Sequence, residues 1–148
     1  MNLFTVVNRH ILTETDYIKK QSAPFVVISI YRSGENVGCE KPVIPANKFC
    51  SAILYLEFDD EVAETPHSIN DQHAKEVLAF AEKYHHIKQW IVSCEAGMSR
   101  SVAVARALSE IMNERNPDSF IVSTYNLEFY NRFVYKKIMN GYRQEVTE

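Results

Sequence analysis

Residues 89–112 of the chain read QWIVSCEAGMSRSVAVARALSEIM. The apolar run over residues 90–92 is typical of a buried strand, and the residues from Ser101 onward are apolar nearly all round, which predicts a central helix. A loop of small and polar residues, 93–100, joins the two. Such a loop points consecutive backbone N–H groups at one concave spot, with the positive end of the helix dipole behind them. That arrangement binds anions.

Cys94 and Arg100 carry the chemistry of this loop. The amides and helix dipole that attract a phosphate also stabilise a thiolate at Cys94, and an ionised cysteine is a nucleophile. Arg100 closes the loop, and its planar guanidinium can bind two oxygens of a phosphoryl group at once. The alternative is a buried, unreactive cysteine at the end of a strand. That alternative leaves Arg100 and Gly97 unexplained.

The other loop residues have auxiliary predicted roles. Gly97, at mid-loop, can adopt a positive φ and let the backbone approach a ligand closely. The Ser101 hydroxyl can either cap the helix or donate to the thiolate and steady sulfur as a leaving group. Phosphate binding is assigned to six consecutive residues, Glu95, Ala96, Gly97, Met98, Ser99 and Arg100.

The spacing of Cys94, five intervening residues, Arg100 and Ser101 after an apolar strand resembles the signature of the cysteine-dependent protein tyrosine phosphatase superfamily. The run over residues 96–101, AGMSRS, resembles its dual-specificity branch. The resemblance implies a phosphomonoester hydrolase that forms a cysteinyl-phosphate intermediate and acts on phosphorylated proteins or peptides, on tyrosine alone or with dual specificity. No metal or organic cofactor is needed, because Arg100 and the loop supply the positive field. The family usually has histidine before the cysteine, and this chain has Ser93.

An acid that protonates the leaving oxygen is expected upstream. Residues 52–58 form an apolar run that leads into Asp59 and Asp60, and residues 61–69, with Pro66, suit a mobile flap. The family resemblance implies that a loop in this place supplies an aspartic acid as proton donor. Asp60 is the first choice and Asp59 the second. A purely structural turn is the alternative, because Asp is common at strand ends.

The apolar and polar periods of the whole chain predict an α/β fold, with a mostly parallel central sheet, helices on both faces, and the phosphate loop between a central strand and a helix. Strands are predicted at residues 3–7, 25–31 and 52–58, and a helix capped from the 68–71 region at 71–84. A short helix or turn begins at Thr13 and covers 13–20. Residues 32–48 are a polar loop, 119–123 a short apolar run, and 126–140 a last helix that Gly141 ends.

Size and charge exclude several classes of protein. With 148 residues, 46% of them hydrophobic, residues 1–148 are expected to form a single compact domain. A net charge of −3 argues against a nucleic-acid partner, and no apolar run reaches membrane-spanning length, so no membrane partner and a cytoplasmic location are expected. The oligomeric state is left open by these numbers. Three cysteines, Cys39, Cys50 and Cys94, fit a reducing compartment and match no zinc spacing.

The histidines of the predicted helix 71–84 and its end are interpreted as solvated or capping side chains. His73 lies on the polar side of that helix, and His85 and His86 follow its last turn. No second ligand lies at the spacing that a metal site requires, so no metal is expected here.

Two other functions stay open at the level of the sequence. A phosphoprotein-binding module would keep the loop and Arg100 but turn over slowly, because Ser93 replaces histidine. A rhodanese-like or arsenate-reductase-like enzyme also uses a cysteine loop of this size, although a reductase requires a resolving cysteine nearby. Lipid-directed relatives of this family tend to have lysines in this loop, whereas this chain has Glu95 and Met98. Such a loop repels a phosphoinositide, which carries many negative charges, so phosphoinositide substrates are disfavoured. The absence of a basic patch disfavours an RNA 5′-phosphate.

Overall fold

The computed structural model describes residues 1–32, 40–113 and 115–147. Within these ranges one sheet contains five parallel strands, in the order β3-β2-β4-β1-β5. The strands are β1 (Leu3–Asn8), β2 (Phe25–Tyr31), β3 (Cys50–Glu57), β4 (Gln89–Cys94) and β5 (Ile121–Val122). Because β4 lies between β2 and β1, its last residue, Cys94, is at the middle of the carboxyl edge, where open α/β sheets bind ligands.

Both faces of the sheet are covered, which confirms the predicted α/β architecture. The helices are α1 (Arg9–Glu14), α2 (Asp71–Tyr84), α3 (Arg100–Met112) and α4 (Arg132–Thr147). Helices α2, α3 and α4 pack on one face, and α1 packs on the other together with the segments that flank it. Side chains of β2 alternate between the two cores, with Val26 and Ile28 on the side of the three helices and Val27 on the side of α1. Burial on both faces explains the continuous apolar run of β2.

Several predicted elements are confirmed at or near their predicted bounds. Strand β2 and helix α2 begin and end where the sequence predicts, and Asn70 caps α2 by accepting a hydrogen bond from the backbone N–H of His73. Strands β1 and β3 match their predicted positions within two residues. Helix α3 begins at Arg100, one residue earlier than expected.

Of the short helix or turn predicted over residues 13–20, the structure contains a turn at 17–20, whereas Thr13 as the start of a helix is wrong. Helix α1 begins at Arg9, because the Asn8 side chain accepts a hydrogen bond of 2.8 Å from the Ile11 N–H. Thr13 lies inside this helix, and its hydroxyl donates to the Arg9 carbonyl at 2.9 Å. Of the predicted loop 32–48, residues 40–48 form no helix or strand, and residues 33–39, which include Cys39, lie outside the described ranges.

The last helix is also shifted from its prediction. Residues 127–129 form a short 3₁₀ turn, and α4 runs to Thr147. Gly141 is therefore inside the helix and does not end it. A Cβ at this position would lie 3.3 Å from Leu78 Cδ1 and 3.5 Å from Ala74 Cβ. The glycine permits the close packing of α4 on α2.

No helix in the described part of the chain is long and apolar enough to span a membrane.

Candidate active site

Cys94 and Ser101 are in contact at the carboxyl end of the central strand. Cys94 ends β4, Ser101 is the second residue of α3, and the two side chains are buried. The Cys94 Sγ lies 3.0 Å from the Ser101 Oγ. Of the two predicted roles for Ser101, this contact corresponds to the interaction with sulfur, whereas Ser99 occupies the N-cap position of α3.

Arg100 joins the loop after Cys94 to the end of β3. It is the first residue of α3, and its Nη1 donates a hydrogen bond of 2.7 Å to the Phe58 carbonyl. The residue is only 5% exposed. In the parts of the chain that the structure describes, none of the ion pairs involves this guanidinium. A buried cation without a carboxylate is costly unless an anion joins it.

Residues 94–100, called the cysteine loop below, pack directly on the end of β1. Gly97 has a φ of +67°, the left-handed region that glycine adopts without strain. A Cβ on Gly97 would lie 2.8 Å from the Asn8 N and 2.9 Å from the Val7 carbonyl carbon. The sequence predicted a positive φ here correctly, and the close backbone approach that the structure shows is to β1.

Asp60 contacts the cysteine loop through its carboxylate. Its Oδ1 accepts hydrogen bonds from the Ser99 Oγ at 2.8 Å and from the Asn131 Nδ2 at 2.7 Å. The Ser99 hydroxyl makes no capping bond to the first turn of α3, although Ser99 occupies the N-cap position. The backbone N–H groups of that turn therefore lack the side-chain oxygen that commonly satisfies one of them.

Asp59, the second choice for the acid, is partly buried, and its backbone forms two hydrogen bonds within the segment that follows β3. Its N–H donates to the His67 carbonyl at 2.7 Å, and its carbonyl accepts from the Glu61 N–H at 2.9 Å. Residues 59–70, called the Asp60 loop below, leave β3 and end at the cap of α2. The described hydrogen bond from a carboxylate of this segment to the cysteine loop is the one between Asp60 and Ser99.

Comparison with family models and with curated proteins finds no match for this sequence. Among solved structures, the chain is similar to human DUSP28, with 12% identity and a TM-score of 0.56, over 98% of this chain and 95% of that one. It is also similar to a mouse protein designated a dual specificity phosphatase and complexed with zinc tungstate. That match has 15% identity and a TM-score of 0.56, over 93% of this chain and 80% of the other. The chain has a dual-specificity phosphatase fold.

In this dual-specificity phosphatase fold, Asn131 is a site residue that the sequence did not indicate. Its side chain is buried and donates to the Glu61 carbonyl at 2.9 Å as well as to Asp60. Its Oδ1 caps α4 by accepting from the Val134 N–H at 3.1 Å, and its backbone N–H donates to the Ser99 carbonyl at 3.1 Å. Asn131 therefore links the Asp60 loop, the cysteine loop and α4. Asparagine before an apolar helical stripe is an N-cap signal, but the misplaced start of α4 concealed it.

Ser93 occupies the position before the cysteine where the dual-specificity phosphatases usually have histidine. It is 2% exposed, and it is in register with Val7 on β1 and Ser29 on β2. Since side chains alternate along a strand, Ser93 and Cys94 point to opposite faces of the sheet.

Cys50 is too far from Cys94 to form a disulfide with it. Cys50 and Gln89 are both in register with Phe25, at the amino end of the sheet. Cys94 lies five residues further along β4, which is about 16 Å at roughly 3.3 Å per residue. A disulfide requires Cα atoms within about 7 Å. Cys50 therefore cannot act as a resolving cysteine for Cys94.

Proposed function

We propose that this chain is a cysteine-dependent phosphomonoester hydrolase that removes phosphate from phosphotyrosine, or from phosphotyrosine and phosphoserine or phosphothreonine, in proteins or peptides. The observation that carries the proposal is the buried Arg100 guanidinium, which has no carboxylate partner among the described residues and follows a nucleophile candidate on the same loop. A phosphoryl group matches the charge and the planar donor geometry of this side chain.

In the first step, the Cys94 thiolate attacks phosphorus, and a sulfur–phosphorus bond forms as the bond to the ester oxygen breaks. The backbone amides of residues 95–100 and the Arg100 guanidinium hold the equatorial oxygens, where negative charge concentrates in the transition state. Asp60 protonates the departing oxygen. Because both hydrogen bonds to Asp60 go to Oδ1, we assign the transferred proton to Oδ2.

In the second step, the ionised Asp60 takes a proton from water, and the water oxygen attacks phosphorus. The sulfur–phosphorus bond breaks, inorganic phosphate leaves, and sulfur departs as a thiolate. The Ser101 hydroxyl, 3.0 Å from the sulfur, donates a hydrogen bond to that developing negative charge. Neither step requires a metal ion or an organic cofactor.

A second candidate is a phosphoprotein-binding module that turns over slowly or not at all. Ser93 favours this binding module. It is buried at the position where the family that the chain resembles usually has the histidine that orients the thiolate. A reductase with Cys50 as its resolving cysteine gains no support, since Cys50 lies at the opposite end of the sheet. The single domain, the cytoplasmic location and the phosphoprotein substrate stay predictions.

Hydrolysis of p-nitrophenyl phosphate by purified protein tests the proposal. We expect turnover by the wild-type chain and by Cys50→Ser, a cysteine control remote from the site, and none by Cys94→Ser. Tungstate, the oxyanion in the complex of the similar mouse protein, is the probe for binding. Tungstate binding is measured by calorimetry. If tungstate binds to Cys94→Ser but not to Arg100→Ala, the result supports an anion site at the cysteine loop. Tungstate binding without any wild-type turnover would favour the binding module, and full turnover by Cys94→Ser would overturn both.

A further inference from the structure

His73 is the third residue of α2 and forms a reciprocal cap with Asn70. The His73 backbone N–H donates to the Asn70 Oδ1 at 2.9 Å, and the Asn70 backbone N–H donates to the His73 Nδ1 at 3.0 Å. Because a backbone N–H can only donate, the Nδ1 must carry a lone pair, so this bond requires the neutral ring. Glutamate or glutamine commonly fills this position of a capping box. Unlike glutamine, histidine changes its charge near neutral pH.

The same ring packs on the other end of the Asp60 loop. The imidazole lies against the ring of Phe58, with centroids 5.2 Å apart, and it interacts with the backbone of Glu57. Phe58 is fully buried, and its carbonyl holds the Arg100 guanidinium at 2.7 Å. One side chain therefore contacts the residue before the Asp60 loop and the residue that ends it.

We propose that neutral His73 is a positioning residue that braces both ends of the Asp60 loop, and that its protonation at acidic pH loosens this loop and withdraws Asp60 from the cysteine loop. The consequence for turnover rests on the proposed phosphatase function. The consequence for the loop itself does not, because it follows from the contacts of the ring alone.

Protonation has two local effects. The imidazolium has no lone pair at Nδ1, so it cannot accept the bond from the Asn70 N–H. It also places a positive charge at the amino end of α2, which the helix dipole disfavours. Loss of one such cap lowers the ratio of the ordered to the disordered state of the segment about fivefold.

Burial and the charged groups around His73 shift its pKa in opposite directions. Burial lowers the pKa of His73, whereas the carboxylates of Glu76 on α2 and Glu57 on β3, together with the Glu57 backbone, raise it, and the net shift is downward. A histidine with a lowered pKa in the folded state binds fewer protons than in the unfolded chain. The brace is therefore complete above the ordinary histidine pKa of 6.5 and is lost as the pH falls below it.

Amide hydrogen exchange, corrected for the intrinsic pH dependence, tests the brace without relying on activity. Measurements use Cys94→Ser as the background, which removes the nucleophile candidate. We expect residues 59–70 to lose about fivefold protection between about pH 7.5 and about pH 5, a range that spans histidine titration. His73→Gln, which keeps a cap acceptor but does not titrate, should abolish this change, and His73→Phe, which keeps only a ring, should show low protection at both pH values.

His86→Gln is the matched control, because His86 is exposed beyond the last turn of the same helix. It should retain the pH dependence of the parent. Equal pH dependence in His73→Gln and the parent would overturn the proposal, because Asp60 and every other carboxylate are unchanged between them.

The pH profile of kcat provides a second readout. If the chain hydrolyses p-nitrophenyl phosphate, the acid limb of kcat for His73→Gln should lie at lower pH than that of the wild-type chain, with KM nearly unchanged. Superimposable kcat profiles would contradict the proposal. If the chain has no hydrolase activity, the proposed function fails, and the exchange experiment still decides whether His73 braces the loop.

Discussion

Asn131 and Asp60 are 71 positions apart in the chain and share a hydrogen bond of 2.7 Å. Through this bond, the residue that caps the last helix holds the carboxylate proposed to protonate the leaving group. The Ser99 hydroxyl donates to the same oxygen from the cysteine loop. Asp60 is therefore fixed by two separate elements rather than by its own loop alone.

Asn131→Ala should lower the free energy of unfolding and the turnover of esters with poor leaving groups. Loss of the α4 cap costs about 1 kcal/mol, and loss of the donor to Asp60 leaves the acid less well placed. Urea denaturation measures the first effect, and kcat for phenyl phosphate against p-nitrophenyl phosphate measures the second. The control is Asn126→Ala, which removes an exposed cap of the preceding 3₁₀ turn with no contact to Asp60. Similar kinetic losses in both variants would show that Asn131 does not position the acid.

Asp60→Asn should slow phenyl phosphate more than p-nitrophenyl phosphate, because a poor leaving group depends more on a proton donor. A positioned general acid contributes about 10²- to 10⁴-fold, and we expect a loss in that range on the poorer leaving group. Asp59→Asn is the matched comparison on the adjacent residue. A loss in Asp59→Asn that exceeds the loss in Asp60→Asn would transfer the role of the acid to Asp59.

Local signals in the sequence were enough to place the core of the fold. The apolar run of β2 and the cap and apolar spacing of α2 gave correct bounds, since strand burial and helix capping depend on near neighbours in the chain. The start of α3 was also nearly correct. Strand β4, predicted from its apolar run, ends at Cys94, and α3 begins at Arg100, so the proposed nucleophile and anion-binding residue could be named from the sequence.

The sequence could not give the contacts that join distant elements. Arg100 and the Phe58 carbonyl are 42 positions apart, and their contact depends on the residue that follows β3 reaching the first residue of α3. Gly141 misled the prediction because the sequence does not distinguish a helix-ending glycine from one that permits close helix packing. The close packing of α4 on α2 explains why residue 141 is a glycine.

Ser101→Ala should slow the breakdown of the cysteinyl-phosphate intermediate more than its formation. The serine hydroxyl is 3.0 Å from the sulfur and assists a thiolate that leaves in the second step. A hydrogen bond to a charged group is worth about 1.5–3 kcal/mol, so breakdown should slow at least tenfold. Rapid-quench experiments should show a burst of p-nitrophenol followed by a slower steady state than in the wild-type chain. Equal slowing of burst and steady state would contradict this role.

Gly97→Ala should destabilise the fold, whereas Gly141→Ala should have a much smaller effect. Gly97 has a φ of +67°, and a Cβ there would lie 2.8 Å from the backbone N of Asn8, which cannot move without disturbing β1. Backbone strain alone costs about 1–3 kcal/mol, and the clash adds to it. At Gly141, the nearest atom is the flexible Leu78 side chain at 3.3 Å, and alanine gains about 1 kcal/mol of helix propensity, which offsets the crowding. Urea denaturation of both variants measures the difference, and equal destabilisation would show that the contact of the cysteine loop with β1 is not what requires glycine at position 97.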